Sequence, residues 1–186
     1  MMIKVCGITN LEDAVAAVEA GASALGFNFY LDSPRYVAPE VAASIAACLP
    51  AHVIKVGVFV NESEDVAGMD VAQLHGDSAA PAMRYWRAVR FSGALPNDDN
   101  AEAFLLDTPS AHLHGGTGET FDWTRAYGLP GKIILAGGLD GTNVRTAIQQ
   151  ARPWGVDACS RIESAPGKKD LEKMKRFIQT ALETET

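Results

Sequence analysis

The sequence predicts an α/β protein, a compact (β/α)8 TIM barrel, on three observations. Eight short β-branched runs recur from end to end, helix-like segments alternate with several of them, and the runs are near-continuously apolar, as strands buried on both faces are. The runs are Ile3–Ile8, Ala24–Phe29, Val53–Val60, Val71–His75, Trp86–Phe91, Ala103–Asp107, Lys132–Ala136 and Val156–Ser160. An open doubly wound sheet suits 186 residues better on size alone, but the number of strands favours closure. Eight units average about 23 residues each, below the span of ordinary eightfold barrels, so this barrel must be trimmed. No linker, low-complexity tract or longer repeat interrupts the alternation, and residues 1–186 are expected to form a single barrel domain.

Each helix is justified by its ends and its stripe. Asn10 can cap the first, with Asp13 in its first turn, Val15, Val18 and Ala22 near one face and Gly21 as the stop. Pro39–Leu49, Thr142–Ala151 and Lys169–Leu182 read the same way, the last with Leu171, Met174, Phe177, Ile178 and Leu182 on one stripe. The middle of the chain is different. Only Asn61–Asp70 and Gly76–Tyr85 separate the third, fourth and fifth runs, and Ser92–Glu102 carries Gly93, Pro96 and an Asn-Asp-Asp-Asn stretch unlike a helix. Helices 3 to 5 are therefore expected to be short or partly replaced by loops.

Composition narrows the function. With 47% hydrophobic and 21% charged residues the chain can fill a core and does not resemble disorder. A net charge of −7, without a Lys/Arg-rich run, disfavours nucleic acid and anionic membrane as partners. An anionic substrate must then be held by local donors, such as loop amides or a placed arginine. The N-terminal segment lacks the apolar stretch of a signal peptide and no run reaches about 18 apolar residues, so a cytoplasmic protein is expected. Three separated cysteines, Cys6, Cys48 and Cys159, suggest neither a disulfide framework nor a zinc site.

In an eightfold barrel the active site lies at the C-terminal ends of the strands. Cys6 ends the first run; it reads either as a small buried hydrophobe or as a nucleophile or base whose thiolate nearby amides stabilise. Cys48, among Ala and Ile, and Cys159, in the eighth run, read as core. Asp107 follows Phe104-Leu105-Leu106, where an apolar wall meets the mouth and raises a carboxyl pKa; the alternative is a turn Asp before Thr108-Pro109. Such an acid and base suit isomerisation next to a carbonyl or imine. Arg35, behind Pro34, reads as a carboxylate ligand or a surface ion pair. His75 and Gln73 end the fourth run, His75 with a structural or orienting role. Glycine-rich segments follow runs six, seven and eight, at Gly115-Gly116-Thr117-Gly118, Gly137-Gly138 and between Ser160 and Gly167. Loops after strands seven and eight often hold phosphate, although tight turns use glycine too.

These residues resemble, in order along nearly the whole chain, the phosphoribosylanthranilate isomerases of tryptophan biosynthesis. The resemblance rests on Lys4-Val5-Cys6-Gly7-Ile8-Thr9, Gly26-Phe27-Asn28-Phe29, Ser33-Pro34-Arg35-Tyr36, Val56-Gly57-Val58-Phe59-Val60-Asn61 and Gln73-Leu74-His75-Gly76. It continues through Leu105-Leu106-Asp107-Thr108, Gly115-Gly116-Thr117-Gly118, Leu135-Ala136-Gly137-Gly138-Leu139 and Pro166-Gly167-Lys168-Lys169-Asp170. The resemblance implies a cofactor-independent Amadori rearrangement of N-(5-phosphoribosyl)anthranilate to 1-(2-carboxyphenylamino)-1-deoxyribulose 5-phosphate, by a monomer or homodimer. It makes Asp107 the general acid, Cys6 the general base, Arg35 the ligand of the anthranilate carboxylate and Gly137, Gly138 and Ser160 the phosphate site. Gln73, His75 and Gly116 support the site. Where the family pattern reads Ser-Ser-Gly-Val-Glu, this chain has Cys159-Ser160-Arg161-Ile162-Glu163, so Arg161 stands beside the expected phosphate, and either the local backbone differs or the guanidinium is itself a further ligand.

Rival readings are another sugar-phosphate isomerase or epimerase, and a non-catalytic phosphate-ligand barrel or partner subunit. A metal-dependent epimerase needs paired His and Asp ligands at several strand ends, and of His52, His75, His112 and His114 only His75 closes a strand. No second cysteine lies near Cys6 in sequence, which disfavours a thiol-redox role.

Overall fold

The structure is a computed structural model that describes residues 1–61, 66–108 and 120–185. Eight parallel strands close into one barrel in chain order: β1 (Met2–Cys6), β2 (Ala24–Asn28), β3 (Ile54–Val60), β4 (Val71–His75), β5 (Tyr85–Arg90), β6 (Ala103–Asp107), β7 (Ile133–Leu135) and β8 (Gly155–Ala158). Closure is made by β1 pairing with both β2 and β8, with Lys4 opposite Asp157 and Val5 opposite Ala158. Among the described residues no helix is long and apolar enough to cross a membrane.

Strand parity sorts side chains into two layers. The inward residues Met2, Ala24, Val56, Val71, Trp86, Ala103, Leu105 and Ile134 fill the lower barrel, where Trp86 meets Trp154 edge-on at 6.0 Å. Outward residues such as Ile3, Val5, Leu106, Leu135 and Val156 pack under helices. Four α-helices supply that cover: α1 (Leu11–Ala20), α2 (Pro39–Ala47), α3 (Val144–Ala151) and α4 (Leu171–Glu185). Asn10 caps α1, its Oδ1 accepting from the Asp13 N–H at 2.8 Å, and Gly21 ends it at φ +111°, a left-handed conformation that a side chain would strain. Phe177, Ile178 and Met174 of α4 are buried.

Between β3 and β7 the described residues contain no α-helix, only a 3-10 turn at Trp123–Ala126, in agreement with the short middle units. A compact outer cluster of Phe59, Val66, Leu74 and Tyr85 replaces helical cover there, with Met69 and Met83 packed on it.

Several expectations need correction. Buried α1 positions are Asp13, Ala14 and Ala17, while Val15 is exposed, because the face toward the barrel falls one residue earlier in the turn. Leu171 and Leu182, at the two ends of the α4 stripe, overhang the barrel and are exposed. Cys48 is not core: it caps the C-terminus of α2 on the exposed side. The eighth strand stops at Ala158, and Ser160–Ile162 forms a 3-10 turn. Beyond it, β9 (Glu163–Ala165) and β10 (Lys168–Lys169) make a small antiparallel hairpin, so Lys169 precedes α4 rather than beginning it.

Candidate active site

A cavity of about 290 Å³ lies at the C-terminal ends of the strands. Cys6 reaches it from β1, Arg35 from the loop after β2, Gln73 and His75 from β4, and Asp107 from β6. Gly137 and Gly138 after β7, and Ser160 and Arg161 after β8, complete the wall. Gly116, with its glycine-rich neighbours, lies outside the described residues.

On β1, Lys4 and Cys6 are two residues apart and therefore point the same way, into the barrel. Lys4 is wholly buried, and its Nζ donates to Asp157 Oδ1 at 3.0 Å across the β1–β8 seam. A side chain at position 26 would come within 2.9 Å of Cys6 Sγ and 3.1 Å of Lys4 Nζ, so Gly26 leaves room for both heads side by side. The neighbouring Cys159 thiol, which itself donates to Glu163 Oε1 at 4.0 Å, draws the Cys6 pKa well below the ordinary thiol value. Burial opposes that shift, and the Lys4 ammonium reinforces it. Burial alone would strip Lys4 of its proton; Asp157 and Cys6 reverse this and hold the ammonium charged. Burial opposes the Asp157 charge as well, by more than Lys4 offsets, and its carboxyl is pushed up to about 7.

Across the mouth, burial raises the Asp107 pKa above the usual carboxylate range. The Thr108 N–H, donating to Oδ1 at 2.8 Å, partly offsets the rise, and the charge on Cys6 adds to it. Gly137, at φ +79°, lets the β7 loop pass directly over this acid: a Cβ there would collide with Thr108 and come within 2.9 Å of Asp107 Oδ1. The cavity thus holds a thiol whose anion is favoured and a carboxyl whose proton is held more tightly than usual, the pairing that proton transfer at two atoms requires.

The loops beyond β7 and β8 are held by their own polar side chains. Asn143 Nδ2 donates to the Gly138 carbonyl at 2.8 Å, and Asp140 accepts from the Thr142 N–H at 2.7 Å. Arg161 Nε donates to Asp140 Oδ2 at 2.7 Å, which ties the two loops together with the guanidinium at the rim. Arg35 donates through Nε and Nη2 to Glu163, at 2.8 Å for the shorter Nη2 contact, and Lys169 Nζ joins the same carboxylate at 2.9 Å. Arg35 therefore lines the cavity and is half of a mostly buried ion pair, where the sequence offered a ligand or a surface pair as alternatives. Gln73 Nε2 and His75 Nε2 meet at 2.8 Å, which makes His75 an acceptor with its proton on Nδ1 when the amide donates. Gln73 Oε1 is buried without a partner among the described residues. Those residues also contain no group of three His, Cys, Asp or Glu side chains placed to hold a metal ion.

Cys159 corrects the expectation of a core thiol, since it is partly exposed and lines the cavity beside Cys6. Lys4, Asp157 and Glu163 are likewise site residues that sequence reasoning passed over. One signal was available: a lysine in phase with Cys6 inside an apolar strand is a buried charge that requires a partner.

Comparison with known proteins gives one answer. The family model described as N-(5'-phosphoribosyl)anthranilate (PRA) isomerase matches residues 3–180. A relative from Solibacter usitatus named N-(5'-phosphoribosyl)anthranilate isomerase is 52% identical over 196 aligned positions, covering 97% of each chain. The crystal structure of phosphoribosyl anthranilate isomerase from Thermotoga maritima superposes with a TM-score of 0.82 at 38% identity, covering 98% of this chain and 99% of that one. A further structure of such an isomerase, in complex with reduced 1-(o-carboxyphenylamino)-1-deoxyribulose 5-phosphate, superposes at 0.77 with 37% identity, covering 98% and 99%. The chain belongs to the N-(5'-phosphoribosyl)anthranilate isomerase family.

Proposed function

We propose that this chain, acting as one barrel domain, converts N-(5-phosphoribosyl)anthranilate to 1-(2-carboxyphenylamino)-1-deoxyribulose 5-phosphate, with Asp107 as general acid and Cys6 as general base. The observation that carries the reading is the opposite displacement of two pKa values within one cavity: a thiol drawn down and a carboxyl pushed up. Asp107 donates its proton to the furanose ring oxygen, and the C1–O bond breaks as the anilino nitrogen's lone pair forms the iminium. Cys6 then takes the proton from C2, and its electron pair neutralises the iminium as an enolamine. Tautomerisation of the enolamine yields the ketone. Each transfer contributes on the order of 10²–10⁴-fold in rate.

The phosphate rests on amides around Gly137, Gly138 and Ser160, with Arg161 at the rim, so the overall charge of −7 is overcome locally. Arg35, whose Nε and Nη2 face Glu163, holds the anthranilate carboxylate through its remaining N–H groups. Gln73 Oε1 and His75 support the sugar hydroxyls. The solved relative carrying a reduced deoxyribulose 5-phosphate ligand supports a substrate of this shape. The same reading makes the enzyme cytoplasmic, a monomer or homodimer, with a small-molecule substrate and no nucleic-acid partner.

The test follows anthranilate fluorescence after N-(5-phosphoribosyl)anthranilate is supplied to purified protein. Consumption by the wild type and its loss in Cys6→Ala are expected. A folded wild type that leaves the substrate untouched would overturn the reading in favour of a non-catalytic ligand-binding barrel.

A further inference from the structure

Barrel closure brings together two thiols from opposite ends of the chain. Lys4 on β1 is the register partner of Asp157 on β8, and the two side chains meet inside the barrel. Two residues on from each stands a cysteine, Cys6 at the end of β1 and Cys159 one residue past the end of β8, next to the register pair Val5 and Ala158, and both line the cavity beside the ion pair. Neighbouring strands lie about 4.8 Å apart, within the roughly 4.4–6.8 Å Cα separation that a disulfide spans. Both sulfurs line the cavity through which solutes reach the site, and Cys159 is near enough to Cys6 to be the largest influence on its pKa. Gly7 preserves the approach, because a Cβ there would stand 3.1 Å from Cys159 Sγ.

We propose that Cys6 and Cys159 form a modification site, a dithiol that a peroxide closes reversibly into a disulfide inside the cavity. The Cys6 thiolate attacks one oxygen of hydrogen peroxide. The O–O bond breaks, an S–O bond forms, and the departing hydroxide leaves as water after taking a proton; Cys6 is now a sulfenic acid. Cys159 Sγ then attacks Cys6 Sγ. The S–O bond breaks, and hydroxide leaves as a second water with the Cys159 proton. Two thiols have lost two electrons and two protons, and one peroxide has become two waters. Neighbouring strand ends held about 4.8 Å apart exceed the disulfide Cβ mean of about 3.8 Å, and a bridge strained in this way is favoured to reopen with a dithiol. A low-pKa thiol beside a resolving thiol is the arrangement that stops oxidation at a recoverable stage. The cross-link depends only on where the two sulfurs stand; its effect on turnover rests on the reading of Cys6 as the base.

The test exposes the folded, reduced protein to hydrogen peroxide, quenches with iodoacetamide and maps the peptides by mass spectrometry. Free thiols are expected to fall from three to one, Cys48, with a peptide linking Cys6 to Cys159, and to return to three with dithiothreitol. Cys48→Ser should keep the link, and Cys159→Ser should lose it and carry Cys6 on to the sulfinic acid. Sulfinic Cys6 in the wild type beside a reduced Cys159, or a link only through Cys48, would overturn the proposal. In the activity arm, each protein is normalised to its own untreated rate. Cross-linked wild type is expected to lose at least about 100-fold and recover with dithiothreitol, whereas oxidised Cys159→Ser stays inactive. A fully cross-linked protein that still turns over would remove Cys6 as the base while leaving the modification site standing.

Discussion

The barrel wall that runs from β7 through β8, β1 and β2 to the edge of β3 is backed by α1, α2, α3 and α4; from β3 to β6 no α-helix follows a strand among the described residues. The helical half contains the buried charges, with Lys4 and Asp157 at 3.0 Å and Cys6 above them. The trimmed half keeps its ion pairs outside. Arg87 Nε and the Tyr85 hydroxyl both donate to Asp98, at 2.8 and 2.6 Å, and Glu102 bridges Arg84 and Lys132. The difference teaches what the helices are for. A charge inside the barrel needs water kept away and a fixed partner; Lys4 and Asp157 partner each other across the β1–β8 seam, and the helices cover the outer face of the strands that hold them. A carboxyl at the rim, such as Asp107, needs only a dry apolar wall beneath it and can stand on a strand without helical cover.

If both halves contribute equally to the chemistry, Cys6→Ala and Asp107→Asn each lower kcat/KM by on the order of 10²–10⁴-fold, with circular dichroism and Tm unchanged. Near-normal turnover in either variant would assign the reaction to one half alone. The halves should then part on stability. Phe177→Ala, beneath α4, is expected to cost about 3–5 kcal/mol by urea unfolding. In the trimmed half, Tyr85→Phe deletes one hydrogen bond to Asp98 and should cost about 1 kcal/mol. Equal costs would mean that the polar network carries what helices carry elsewhere.

The buried pair itself can be probed by pH. With Cys6 proposed to act as thiolate, its lowered pKa is expected to let kcat/KM rise well below the ordinary thiol range. With Asp107 proposed to act protonated, its raised pKa is expected to carry activity to higher pH before it falls. Lys4→Met combined with Asp157→Asn, which leaves no lone buried charge, removes the ammonium and should move the acid limb to higher pH; an unmoved limb would deny Lys4 that role. The smallest effect belongs to Glu102→Gln, whose half-exposed partners should limit the loss to about 1 kcal/mol.

All eight strands were legible because each is an apolar run bounded by turn residues, and α1 was legible from Asn10 to Gly21 because caps are local chemistry. The hairpin of β9 and β10 was not, since strands of three and two residues carry no periodicity. Cys48 was misread for a related reason: alanine-rich surroundings do not say which face of a helix looks inward. In the site, Cys6, Asp107 and the Gly137-Gly138 loop were recognisable at strand ends, whereas the capture of Arg35 by Glu163 joins segments that sequence cannot bring together.

The sequence by itself determined the order of strands, the trimmed middle and the family, because these are written in local patterning and in motifs read along the chain. Only the tertiary structure decided that Lys4 would face Asp157 and that Cys6 and Cys159 would line one cavity. Those contacts arise when the last barrel strand closes on the first, and register across that seam follows from the whole sheet's stagger rather than from any segment's own residues.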